Sequence, residues 1–166
     1  MIKIFAGLKG SGKTKHLIEM VNAAQDTTSG CVVCIEKGNK LRHEINNRTR
    51  LVDISEYKVD TAEQLYGFVC GALSANFDIT DLFIDSALKI CQEDLAGLEK
   101  FANDVKPILE ARNVNFTMTI SVEVEKVPAT YVTLTTDDDK KFMNLLLENL
   151  EENEDIVNVW HNWDEA

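Results

Sequence analysis

Apolar positions along this chain switch repeatedly between strand-like runs and helical spacing. Met1-Ile2-Lys3-Ile4-Phe5-Ala6 is a short apolar run that predicts a buried strand. Leu17, Ile18, Val21 and Ala24 then recur at the spacing of one helix face. Cys31 to Ile35 reads as a second strand and Leu51-Val52-Asp53-Ile54 as a third, short one. Thr61-Ala62-Glu63-Gln64 fits a capping box, and Leu65, Phe68, Val69 and Leu73 give the helix behind it an apolar face. Asn76 and Asp78 mark a turn, because their side chains bond nearby backbone. Asp81-Leu82-Phe83-Ile84-Asp85 follows as a strand, with a helix carrying Leu88, Leu95, Leu98 and Phe101. Pro107 disfavours helical angles at Lys106, which predicts a break near Asp104 and a short helix through Arg112. Asn115 to Val122 closes the series as a strand.

This alternation predicts an α/β protein with helices layered on a mainly parallel sheet. A strand-helix-strand appendage is predicted beyond it. Tyr131-Val132-Thr133-Leu134 forms its first strand and Ile156-Val157-Asn158-Val159-Trp160 its last. Between them Thr136 caps a helix whose first turn holds Asp137, Asp138 and Asp139, placed favourably at the positive helix end. Phe142, Leu145, Leu146 and Leu150 form its apolar face. One helix and two strands bury too little to stand alone, so Trp160 and Trp163 are expected as anchors. His161 between them reads as a structural or surface histidine.

Chemistry enters at Gly7-Leu8-Lys9-Gly10-Ser11-Gly12-Lys13-Thr14, which has the spacing of a Walker A phosphate-binding loop. Gly7, Gly10 and Gly12 allow angles and approaches that a Cβ would block. Successive N–H groups, including those at Lys9 and Ser11, can then turn toward phosphate oxygens. Lys13 would reach the phosphates as a point charge, and Thr14 would offer its hydroxyl to Mg2+. Asp85, at the end of an apolar strand, suits the Walker B position beside that metal. Ligands in parallel α/β sheets gather beyond the carboxyl ends of strands, so Glu36 should face the same edge. Thr119 or Ser121 could sense a terminal phosphate from its strand, though either hydroxyl fits an ordinary β-strand equally well.

Composition narrows the picture. The chain has 166 residues and a formal charge of −11, with residues 131–166 holding ten acids and two bases. This argues against nucleic-acid and membrane-surface binding, which need cationic patches. No apolar run reaches the length of a membrane span or a signal-peptide core, so a cytoplasmic protein with reduced thiols is expected. Cys31 and Cys34 stand three apart within a strand and face opposite sides, which favours packing over zinc or redox chemistry. Arg42, Arg48 and Arg50 lie in a polar segment that reads as a solvated turn. Guanosine-reading motifs are missing: Asn39-Lys40-Leu41-Arg42 ends in Arg, and no Asp-x-x-Gly follows Asp85.

The residues GLKGSGKT, CVVCIE and DLFIDS give Met1 to about Val122 a resemblance to RecA-like P-loop ATPases. The same stretch is similar to short bacterial proteins labelled as twitching-motility-type ATP-binding proteins. The resemblance implies a three-layer P-loop NTPase domain over 1–122, with ATP and Mg2+ as cofactors. It also implies Mg2+-dependent ATP hydrolysis, with Lys13 and Glu36 catalytic and Glu36 polarising the attacking water. Ser121 to Thr130, together with Asp137-Asp138-Asp139, Leu145-Leu146-Leu147-Glu148 and Asp155 to Asn162, resembles the last segment of YebC-type bacterial regulators. This implies a partial YebC-like segment over 123–166, open to self-association or a protein partner. Two alternatives stand beside the ATPase. One is a non-catalytic nucleotide switch or YebC-like regulatory protein, the other a small-molecule phosphotransferase.

Overall fold

A computed structural model describes residues 2–122, 133 and 136–151, with the side chains of 149–151 left out. The chain divides into two compact units, Met1–Val124 and Glu125–Ala166. The first is an α/β unit whose elements run β1 (Ile2–Gly7), α1 (Lys13–Thr27), β2 (Cys31–Glu36), β3 (Arg50–Asp53), α2 (Ala62–Ala75), β4 (Ile79–Ile84), α3 (Ala87–Ile90), α4 (Leu95–Ala111) and β5 (Asn115–Ser121). A 3-10 turn, Ile54–Tyr57, follows β3. The second unit contributes α5 (Asp137–Glu151).

The sheet has the order β1-β5-β4-β2-β3, with every pair parallel. Burial divides along its two faces. Leu17, Ile18 and Val21 of α1 pack with Val32, Cys34 and Phe83 on one side. Leu65, Val69 and Leu73 of α2 and Leu98, Phe101, Val105 and Leu109 of α4 pack on the other, with Val33, Ile35, Leu82 and Ile84. The predicted α/β class with a parallel sheet is thus the observed one. Cys31 and Cys34 fall on opposite faces as their spacing requires, and burial pushes the Cys34 thiol up.

Three local expectations are corrected. The first strand is an edge strand, paired with β5 alone, and Ile4 is 47% exposed. An apolar run reports affinity for a sheet but not the strand's place within it. The break near Asp104 does not occur, since α4 runs unbroken from Leu95 to Ala111 with Pro107 inside. Pro107 lies on the exposed side, while Phe101, Val105 and Leu109 anchor the other face. Packing along that face outweighs the one hydrogen bond a proline removes. The helix expected behind β4 is also split, into α3 and α4, by residues with left-handed angles at Gln92 and Glu93.

The capping box is present: Gln64 N donates to Thr61 Oγ1, and the Gln64 side chain accepts from Thr61 N. Thr136 caps α5 by accepting from Asp139 N at 3.1 Å. Phe142 and Leu146 on α5 are exposed. The expected strands at Tyr131–Leu134 and Ile156–Trp160, and the anchors Trp160 and Trp163 with His161, lie outside the described residues.

Candidate functional site

The sheet order places β5 between β1 and β4, so three strand ends converge on one edge. The glycine loop leaves β1 there and enters α1. Gly10 and Gly12 have φ of 89° and 81°, a region that side-chain-bearing residues rarely adopt. Gly12 is the N-cap of α1 and brings no side chain to cover the helix N-terminus. The first N–H groups of the helix therefore remain for an anion, at the positive end of the dipole.

Lys13 folds back along this loop. Its Nζ donates to Gly7 O at 2.8 Å, Leu8 O at 2.6 Å and Ser11 Oγ at 3.3 Å. Thr14 Oγ1 donates to Asp85 Oδ1 at 3.0 Å, joining loop and β4 across 71 residues of sequence. Asp85 is 9% exposed and fully engaged. Thr119 Oγ1 donates to the same Oδ1 at 2.8 Å, and Ser86 Oγ donates to Oδ2 at 3.0 Å. Thr119 Oγ1 also accepts from Ser86 N at 2.7 Å. The structure thus brings together Lys13, Thr14 and Asp85 and adds Thr119 and Ser86 to them.

A cleft of about 540 Å³ opens over this network. Lys9, Lys13, Lys40 and Lys89 line it, with Thr14, Ser86, Thr119 and Ser121 supplying hydroxyls and Glu93 a single carboxylate. Four lysines thus line one cleft of an acidic chain. Thr14 and Asp85 offer the hard oxygens that Mg2+ prefers, and Mg2+ takes few protein ligands when phosphates and water complete its shell. Among the described residues no cluster of three or more His, Cys, Asp or Glu is arranged to hold a metal.

Glu36 stands apart from that cleft. Glu36 is 3% exposed, and its carboxylate accepts from Lys40 N at 3.0 Å and Leu41 N at 3.2 Å. Burial raises its pKa, and the two backbone N–H groups partly offset this. It lines a separate cleft of about 340 Å³ with Asn39 and Arg42. The sequence placed Glu36 at the correct strand end, but the loop it caps turns its carboxylate inward. Lys40 and Lys89 were missed by motif. Both lie a few residues past the carboxyl end of a strand, so position in an α/β sheet was the available signal.

The fold is that of an α/β protein with a parallel sheet, and the lysine-lined cleft lies at the carboxyl ends of its strands. Comparison with known proteins adds a second description. The family model for the TACO1/YebC second and third domain matches residues 95–163. A protein of Lachnospira eligens named "Probable transcriptional regulatory protein" is 37% identical over 120 residues, covering 72% of this chain and 43% of that protein. A stretch that long reaches well upstream of residue 95, into the α/β unit. A protein of the same name from Acetivibrio thermocellus is 48% identical over 71 residues, covering 43% of this chain and 28% of its own length. One from Caldicellulosiruptor bescii is 32% identical over 100 residues, covering 54% and 39%. The chain spans less than half the length of these relatives.

The carboxy-terminal part of the chain is therefore YebC-like. The family match spans residues 95–163, and so includes α4 and β5 of the α/β unit. Similarity and compact units divide the chain at different places. The expectation of a RecA-like, Mg2+-dependent ATPase, with its descriptors ATP-binding, P-loop and hydrolase, is overturned. The relatives are named as regulators, not as ATPases. Their name also stands against the expectation, drawn from net charge, that nucleic acid is not a partner. Among the described residues no helix is long and apolar enough to cross a membrane.

Proposed function

We propose that this chain is a regulatory protein of the YebC-like kind whose amino-terminal unit responds to a phosphate-bearing ligand without turning it over. The observation that carries this reading is the lysine cleft over the Thr14–Asp85–Thr119 network. The ligand class is a polyphosphate such as the tail of a nucleoside triphosphate, with Mg2+ beside Thr14 and Asp85. Lys13 would exchange its contacts with Gly7 and Leu8 carbonyls for phosphate oxygens. That exchange frees two loop carbonyls and alters the loop, which is what a switch requires. The engagement of Glu36 by Lys40 and Leu41 amides supports binding without hydrolysis, because both oxygens of the expected base are held by backbone and lie outside the lysine cleft. The relatives' name brings nucleic acid into scope, and the lysine cleft offers the charge such a contact needs.

Calorimetric titration of the full chain with ATP, GTP and inorganic tripolyphosphate, with and without Mg2+, tests this. Saturable binding is expected, weakened at least tenfold in Lys13→Ala, with phosphate release no faster than in that variant. Absence of binding to all three ligands rejects the cleft as a phosphate site. Steady phosphate release that disappears in Glu36→Gln rejects the switch. A single-stranded RNA oligonucleotide added as competitor reports whether the cleft also takes polymer phosphates.

A further inference from the structure

Lys9 and Lys13 reach the lysine cleft from the glycine loop and the start of α1, and Lys89 reaches it from α3. Lys40 arrives differently. It stands in the connection 37–49, which contains no helix or strand. A backbone without a repeating hydrogen-bond ladder depends on side chains or water to satisfy its amides. Here two carboxylates do so. Glu36 and Asp53 are register partners at the ends of the adjacent strands β2 and β3. Gly38 N donates to Asp53 Oδ1 at 2.9 Å, and Lys40 N donates to Glu36 Oε2 at 3.0 Å. Leu41 N donates to both Glu36 oxygens at 3.2 Å.

Two further contacts fix the segment. Leu41 is 2% exposed and shares a core cluster with Leu17 and Ile18 of α1. Lys37 Nζ donates to Lys89 O at 3.2 Å, which ties the start of the connection to α3. Lys40 is therefore bracketed: Glu36 grips its amide and the next one, and the following side chain is locked in the core. The Lys40 side chain lines the lysine cleft, whereas Glu36 lies outside it.

By charge alone, a carboxylate bonded to the backbone of a cleft residue opposes an approaching anion. By geometry it does the reverse. We propose that Glu36 is a positioning residue for the cleft: its grip on the Lys40 and Leu41 amides sets the Lys40 ammonium against ligand phosphates. This rests on the phosphate reading of the cleft. Glu36 acts through Lys40 and touches no ligand itself, so its reach matters and its charge does not. The two can be separated. Glu36→Asp keeps the charge and draws the oxygens back by one methylene. Glu36→Gln removes the charge and keeps the reach, since one oxygen in the place of Oε2 accepts from both amides.

Calorimetric titration of the full chain with inorganic tripolyphosphate and Mg2+ provides the test, at a temperature where circular dichroism shows each variant folded. Glu36→Asp should bind about tenfold more weakly than wild type, the scale of one hydrogen bond to a charged group, and Glu36→Gln should stay within about threefold. Lys40→Ala, an exposed substitution that leaves the core intact, should also lose about tenfold. Adding Glu36→Asp to Lys40→Ala should cost nothing further, while adding it to Lys9→Ala should cost its full amount. A carboxylate that merely held the fold together would weaken both backgrounds alike. Wild-type affinity in Glu36→Asp or in Lys40→Ala overturns the proposal. So does a loss in Glu36→Gln as large as in Glu36→Asp, or a loss that persists in the Lys40→Ala background. Wild type that binds no tripolyphosphate removes the phosphate reading and this role with it. Binding that Lys13→Ala abolishes and Glu36→Asp leaves unchanged removes the positioning role alone.

Discussion

Asp85 shows how one residue can hold the site together. Its carboxylate accepts hydroxyls from α1, β5 and its own neighbour, so three chain segments meet on two oxygens. Thr119 is the most buried of the three donors, at 1% exposure, and it also accepts from Ser86 N. Thr119→Val keeps the shape and removes both bonds. It should lower stability by about 1–3 kcal/mol, the penalty for buried polar groups left unpaired, read from the urea midpoint. Glu36 yields a pH dependence. Its folded pKa lies above its ordinary value of 4.5, so the folded state binds the proton more tightly than the unfolded chain. The associated stability is complete below 4.5 and declines as pH rises through the folded value. Glu36→Gln removes that ionisation. The difference in urea midpoint between wild type and variant should therefore shift in the variant's favour as pH is raised from 4 to 7. A difference that stays flat would show that burial does not govern this carboxyl. Both residues were legible in the sequence as strand-end acids, but their opposite circumstances were not. Partners 71 and 34 residues away decide the first, and a local loop decides the second.

At the scale of elements, hydrophobic spacing located α1 and α2 because each buries one continuous stripe. It misjudged α4, where Pro107 argued locally against a helix that packing sustains. Helix α2 offers a test of local propensity against tertiary demand. Gly67 is exposed, and a Cβ there would meet nothing within 4 Å. Gly67→Ala should raise stability by about 1 kcal/mol, seen as a higher thermal midpoint, since only backbone entropy and helix propensity change. A fall would mean that a partner approaches this face. The two sheet edges differ in kind. β1 is six residues long with Ile4 exposed, whereas β3 is four residues long with arginine at its start. Neither property follows from strand propensity, which does not say which strands become neighbours.

For the whole molecule, charge is the organising fact. A chain of −11 gathers four lysines onto one cleft, from the glycine loop, the segment after β2 and α3. Summed charge described a mildly acidic body and a strongly acidic tail, yet it did not show that four lysines would line one cleft. Net charge averages over a surface that folding makes uneven. The amino-acid sequence by itself determined the strand and helix alternation, the glycine loop, the YebC-like end and the α/β class, because each rests on contacts between near neighbours. The tertiary structure alone decided the strand order, the edge position of β1, the sharing of Asp85 among three segments, the inward turn of Glu36 and the joining of distant lysines. Each of these depends on which remote segments pack together, and spacing along a chain carries no record of that.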